Sequence, residues 1–170
     1  MAEFESYLQD NKDRFEQDLC EWLRMPSIST DSAYQEQVKQ AAMWLHDRID
    51  KLGFQTEMIE TSGHPIVYGE SPKIPNAPTV LVYGHYDVQP PDPLDEWETP
   101  PFEPSIRDGN LYARGATDDK GQMITHLFSV EAWKKTIGDL PIQIKFLIEG
   151  EEECGSGGLY EFLEIGRAHG

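Results

Sequence analysis

Two apolar, β-branched-rich runs constrain this chain most: Val80-Leu81-Val82-Tyr83, and Ile142 to Ile148. Each is short and bounded by turn formers, so each reads as a buried strand. Metal-binding side chains follow both. His85-Tyr86-Asp87 comes directly after Gly84, and Glu149-Gly150-Glu151-Glu152-Glu153-Cys154 closes the second run. In a parallel α/β sheet the carboxyl ends of such strands share one edge, which is where chemistry collects.

A third stretch, Gly115-Ala116-Thr117-Asp118-Asp119-Lys120-Gly121, opens a helix. Capping explains one Asp at a helix start. It explains a second less well, and a run of three glutamates still less. Like charges crowded into one crevice are unfavourable unless a cation neutralises them. One His with several carboxylates suits Zn²⁺, Mn²⁺ or Co²⁺ better than Ca²⁺ or Mg²⁺. A bridging carboxylate would allow two ions roughly 3.5–4 Å apart. The plainer alternative is a solvated acidic rim beside a strand-end His.

Composition narrows the partners. The 170 residues suffice for one domain with a sizeable core. Asp and Glu number 31 against 14 Lys and Arg, a net charge of −17. Such a chain repels nucleic acid and anionic membranes, so neither is expected as a partner. Cys20 and Cys154 are far apart and no CxxC occurs, which fits a reducing, cytoplasmic setting without a structural disulfide. The N-terminal Met-Ala-Glu-Phe-Glu-Ser is acidic and unlike a signal peptide. No apolar run approaches the roughly 18 residues of a membrane span.

The remaining segments read in order. Phe4 to Met25 predicts one amphipathic helix, with Phe15, Leu19, Trp22 and Leu23 inward. Tyr34 to Leu52 predicts a second, ended by Gly53. Phe54–Ile59 and Pro65–Gly69 read as strands, and Phe102–Arg114 as a hairpin turning at Asp108-Gly109. A helix over about 122–136 precedes the second buried run, and a last helix begins near Leu159. Gly155-Ser156-Gly157-Gly158 sits where a phosphate loop would, but lacks G-x-G-x-x-G spacing and has three glutamates beside it.

Three stretches together, Gly-His-Tyr-Asp-Val-Gln-Pro (84–90), Asp-Gly-Asn-Leu-Tyr-Ala-Arg-Gly-Ala-Thr-Asp-Asp-Lys-Gly (108–121) and Glu-Gly-Glu-Glu-Glu-Cys-Gly-Ser (149–156), resemble the dinuclear zinc metallopeptidase family. That family includes carnosinase-type dipeptidases, acetylornithine deacetylase, succinyl-diaminopimelate desuccinylase, aminoacylase and glutamate carboxypeptidase. The Val-Gln-Pro after Asp87 looks most like the dipeptidase branch. The resemblance implies an α/β fold with three layers, a central mixed sheet with helices on both faces. It implies His85, Asp118 and Glu153 as ligands of two divalent ions, with Asp118 bridging them. Asp87 would orient His85, Glu152 would be the general base, and Asp118-Asp119 would be a cis peptide.

The implied activity is hydrolysis of dipeptides or N-acyl amino acids. A non-catalytic metal-binding fragment is the alternative, and a nucleotide-binding α/β domain a more distant one. Relatives carry a further acidic ligand, a last His and a lid domain that often forms a homodimer. Residues 1–163 are therefore expected to be the N-terminal part of a catalytic domain, inactive by itself. Residues 164–170 resemble the translation of a sequencing-adapter oligonucleotide and are expected to be a non-native tail, which removes His169 from the ligand candidates.

Overall fold

The computed structural model describes the backbone of residues 2–169 and the side chains of residues 2–164. The tail expected at 164–170 falls largely outside the described side chains.

The N-terminal amphipathic stretch forms two helices, α1 (Ala2–Asp10) and α2 (Lys12–Leu23), where one was expected. Asn11 separates them. Its side-chain amide donates to the Tyr7 carbonyl at 2.9 Å, a local bond that competes with continuous helix. Helix α3 (Gln35–Lys51) then presents Val38, Ala41, Ala42, Leu45 and Ile49 on one buried face. Gly53, at φ 78, ends it in the left-handed region that favours glycine.

Strands β1 (Gln55–Ile59), β2 (Ile66–Glu70) and β3 (Thr79–His85) follow. A two-stranded hairpin of β4 (Ser105–Arg107) and β5 (Asn110–Tyr112) turns at Asp108 and Gly109, both with positive φ as a type I′ turn requires. Helix α4 (Lys120–Thr136) leads into β6 (Gln143–Glu149), and α5 (Gly157–His169) begins two residues before its expected start.

The main sheet runs β1-β2-β6-β3. β1, β2 and β6 pair antiparallel, whereas β3 and β6 pair parallel, with α4 in the crossover between them. This is the expected α/β class with a mixed sheet. Phe146 and Ile148 from β6 and Val67 from β2 pack under Trp22, Leu45, Ile49 and Leu127 of the helices. Burying each such side chain is worth about 1.5–3 kcal/mol.

β3 departs from expectation. It was read as a buried strand, yet it lies at the sheet edge, and Leu81 is 56% and Tyr83 48% exposed. An apolar run marks a strand but not its place in the sheet. Only its carboxyl end, Gly84 and His85, is buried. No helix among the described residues is long and apolar enough to cross a membrane.

Candidate metal centre

The parallel register places His85 directly opposite Glu149, so the two strand ends share one edge as the sequence suggested. The His85 ring is held from behind. Its Nδ1 lies 3.3 Å from Asp87 Oδ1 and 3.1 Å from the Asp87 carbonyl. This leaves Nε2 facing outward, 3.0 Å from Asp118 Oδ1 and 3.9 Å from Glu152 Oε2. One ligand atom each from His85, Glu152 and Glu153 lies within 4.8 Å of the others.

Asp87 is fully buried and organises more than the ring. Its Oδ2 accepts the Ser29 hydroxyl at 2.6 Å and the Glu153 N–H at 3.1 Å. Oδ1 accepts the Glu152 N–H at 3.3 Å. One carboxylate thereby joins the loop after α2, the end of β3 and the glutamate turn. Such outer contacts fix the tautomer and angle of a ligating His.

The two aspartates at the start of α4 have separate tasks. The peptide between them is cis, as the resemblance implied. Asp118 is exposed and meets the His85 ring, while Asp119 Oδ2 accepts the His85 backbone N–H at 3.2 Å. Burial raises the Asp119 carboxyl above the ordinary range. Lys120 follows, fully buried, with Nζ donating to the Trp22 and Met25 carbonyls at 3.0 and 2.8 Å. Trp22 lies in the last turn of α2 and Met25 two residues beyond its end. The start of α4 is thus tied to the end of α2.

The three consecutive glutamates also divide. Spacing alone could not choose among them. Glu151 Oε2 accepts the Gly158 N–H at 2.8 Å, so it is engaged at the start of α5. It fills the position that a phosphate would need, which disfavours nucleotide binding at Gly155–Gly158. Glu152 and Glu153 remain toward His85. They stand on a 3-10 turn, Glu152–Cys154, rather than on extended chain. Adjacent residues there need not point to opposite sides, so both carboxylates reach the same cluster.

Electrostatics agree with a cation site. Burial works against protonation of His85, but Asp87, Asp119 and Asp118 outweigh it and push the ring up to about 9. The carboxylates gathered around this ring favour positive charge there, whether the proton on the imidazole or an ion that replaces it. The donor set of one imidazole and several carboxylates fits Zn²⁺, Mn²⁺ or Co²⁺.

Residues 81–170 match the model of peptidase family M20/M25/M40. The chain belongs to this family. Among M20/M25/M40 relatives, human Beta-Ala-His dipeptidase is 34% identical over 171 residues, covering 93% of this chain and 34% of its own length. The Cys-Gly metallodipeptidase of Schizosaccharomyces pombe is 34% identical over 167 residues, covering 92% and 35%. The crystal structure of human carnosine dipeptidase 1 superposes with a TM-score of 0.91 at 34% identity, over 96% of this chain and 37% of that one. The chain thus spans about a third of the length of the relatives it matches. Metallopeptidase membership implies divalent metal, and among the described residues His85, Glu152 and Glu153 form a group that could hold an ion.

Sequence reasoning missed several supporting residues. Gln89 Nε2 donates to Glu153 Oε2 at 2.7 Å. Its position in the same strand-end stretch as His85 was the available signal. Ser29, Tyr83 and Ser156 carried none, because their contacts depend on packing between distant segments.

Proposed function

We propose that this chain carries part of the site of a metal-dependent amide hydrolase acting on dipeptides or related N-acyl amino acids. The observation that carries the proposal is the cluster of His85, Glu152 and Glu153, with Asp118 at the same imidazole nitrogen. His85, Asp118 and Glu153 would bind two divalent ions, most readily Zn²⁺ and alternatively Mn²⁺ or Co²⁺, with Asp118 bridging. When bound, such ions would supply Lewis acidity for the scissile carbonyl and lower the pKa of a coordinated water toward about 7.

The chain's own residues do the rest. Asp87 holds the His85 Nδ1 side and so keeps Nε2 free to ligate. Glu152, exposed at the site, takes a proton from the attacking water and delivers it to the leaving amine. Gln89 steadies Glu153. Residues 1–163 then serve as the N-terminal part of a catalytic domain, with substrate side-chain selection and pairing of subunits residing outside them. The two free cysteines fit a reducing, cytoplasmic setting.

Three ligands cannot fill two coordination spheres of about four each. The 170-residue chain should therefore bind Zn²⁺ weakly and leave dipeptides intact. Titration calorimetry with Zn²⁺ tests the assignment. Binding should disappear in His85→Ala, Asp118→Ala and Glu153→Gln, and persist in Glu152→Gln. Unchanged binding in all four variants refutes it.

A further inference from the structure

Glu149 has no part in the roles assigned above, yet it is 1% exposed and adjoins the site. It closes β6 and faces His85 across the parallel ladder. Its Oε1 accepts the Tyr83 hydroxyl at 2.6 Å and the Ser156 hydroxyl at 2.9 Å. Its Oε2 is buried with no donor among the described residues. A carboxylate so placed disfavours folding unless it secures something else.

What it secures is a loop. Ser156 lies seven residues on and has φ 57, a left-handed conformation uncommon for a residue with a side chain. Gly155 before it has φ 102. The Glu149–Ser156 bond closes the segment between them, which bears Glu152 and Glu153. On the opposite side Asp87 grips the same segment through two longer bonds, of 3.1 and 3.3 Å to the Glu153 and Glu152 amides. The turn also carries backbone bonds of its own, Ser156 N–H to the Glu151 carbonyl at 2.7 Å and Gly155 N–H to the Glu152 carbonyl at 3.2 Å, and Gln89 holds Glu153. The Glu149 bond is the side-chain tie at Ser156, where the left-handed backbone is strained.

We propose that Glu149 is a positioning residue. By clasping Ser156 and Tyr83 it holds the Glu152–Glu153 turn at ligating distance from His85. The clasp stands on its own geometry, and only its effect on metal rests on the function proposed above.

Hydrogen exchange and Zn²⁺ titration on the 170-residue chain separate the two. Ser156→Ala and Tyr83→Phe each remove one bond at a partly exposed residue, so folding is not at risk as in Glu149→Ala. In both variants, and in Glu149→Ala where it folds, the Glu152 and Glu153 amides should exchange about tenfold faster, the scale of one hydrogen bond. The β6 amides should be unchanged. Zn²⁺ affinity should fall by roughly tenfold or more, as for other residues that support metal ligands. Glu149→Gln, which can still accept from Ser156 and Tyr83, should restore much of both. Faster exchange with no Zn²⁺ binding even by the unaltered chain supports the clasp and refutes the metal reading. Unchanged exchange of the Glu152 and Glu153 amides in folded Ser156→Ala and Tyr83→Phe overturns the clasp.

Discussion

At the residue scale, this site depends on buried carboxylates with distinct burdens. The Asp87 carboxylate accepts three hydrogen bonds and faces the His85 ring, whereas Glu149 leaves one oxygen without a partner among the described residues. Burial raises the Glu149 carboxyl above its ordinary 4.5, against the lowering effect of Tyr83 and Ser156. The native state then holds that proton more tightly than the unfolded chain does. Stability attributable to Glu149 is therefore present at low pH and is lost as pH rises above 4.5. Glu149→Gln cannot titrate. Its melting temperature relative to the unaltered chain should rise as the pH is raised from about 4.5 toward neutrality. A difference that stays flat or shrinks over that range would contradict the burial argument. His85, Asp87, Asp118 and the glutamate run stood out in the sequence as metal-type side chains, but their separate expected roles, and the choice of Glu152 and Glu153 over Glu151, came from the family resemblance. Glu149 was visible only as the end of a strand, since nothing local announces which oxygen will lack a partner.

At the element scale, helix and strand periodicities were legible nearly everywhere, and the errors lie where one local bond decides. The break at Asn11 is one, made by a side-chain amide that competes with the helix ladder. The 3-10 turn under Glu152 was not legible either, since three glutamates in a row say nothing about turn geometry. The approach of β3 to α4 was equally hidden. A Cβ added at Gly84 would run into Met123 Sδ and Asp119 Oδ2. Glycine is needed there for closeness, not for an unusual φ. Gly84→Ala must push α4 away or displace Asp119 from the His85 amide. It should destabilise the chain by about 1–3 kcal/mol, as other overpacked contacts do. For a chain of this size that is roughly 2–4 °C of melting temperature per kcal/mol, readable by calorimetry. An unshifted melt would show that the contact yields freely.

At the scale of the whole molecule, a net charge of −17 meets an open apolar edge. Leu81 and Tyr83 project from an edge strand whose unpaired backbone groups can template another strand. Charge repulsion opposes such pairing while it is unscreened. The Debye length falls from about 30 Å at 0.01 M salt to about 3 Å at 1 M. The chain should therefore stay monomeric in low salt and associate as salt rises, measured by static light scattering. Leu81→Lys, a charge on the edge, should abolish the association. Equal masses at both ionic strengths would remove the edge as its cause.

The reach of Asp87 has a temporal consequence. Its partners Ser29 and Glu152 lie 58 and 65 residues away in sequence. Contacts that distant form only after intervening chain has been closed into place. His85 and Glu152 cannot meet before β3 has found β6, and the loop after α2 has folded back. The core is thus assembled before the centre it carries, so an ion bound there would meet a finished scaffold instead of nucleating one.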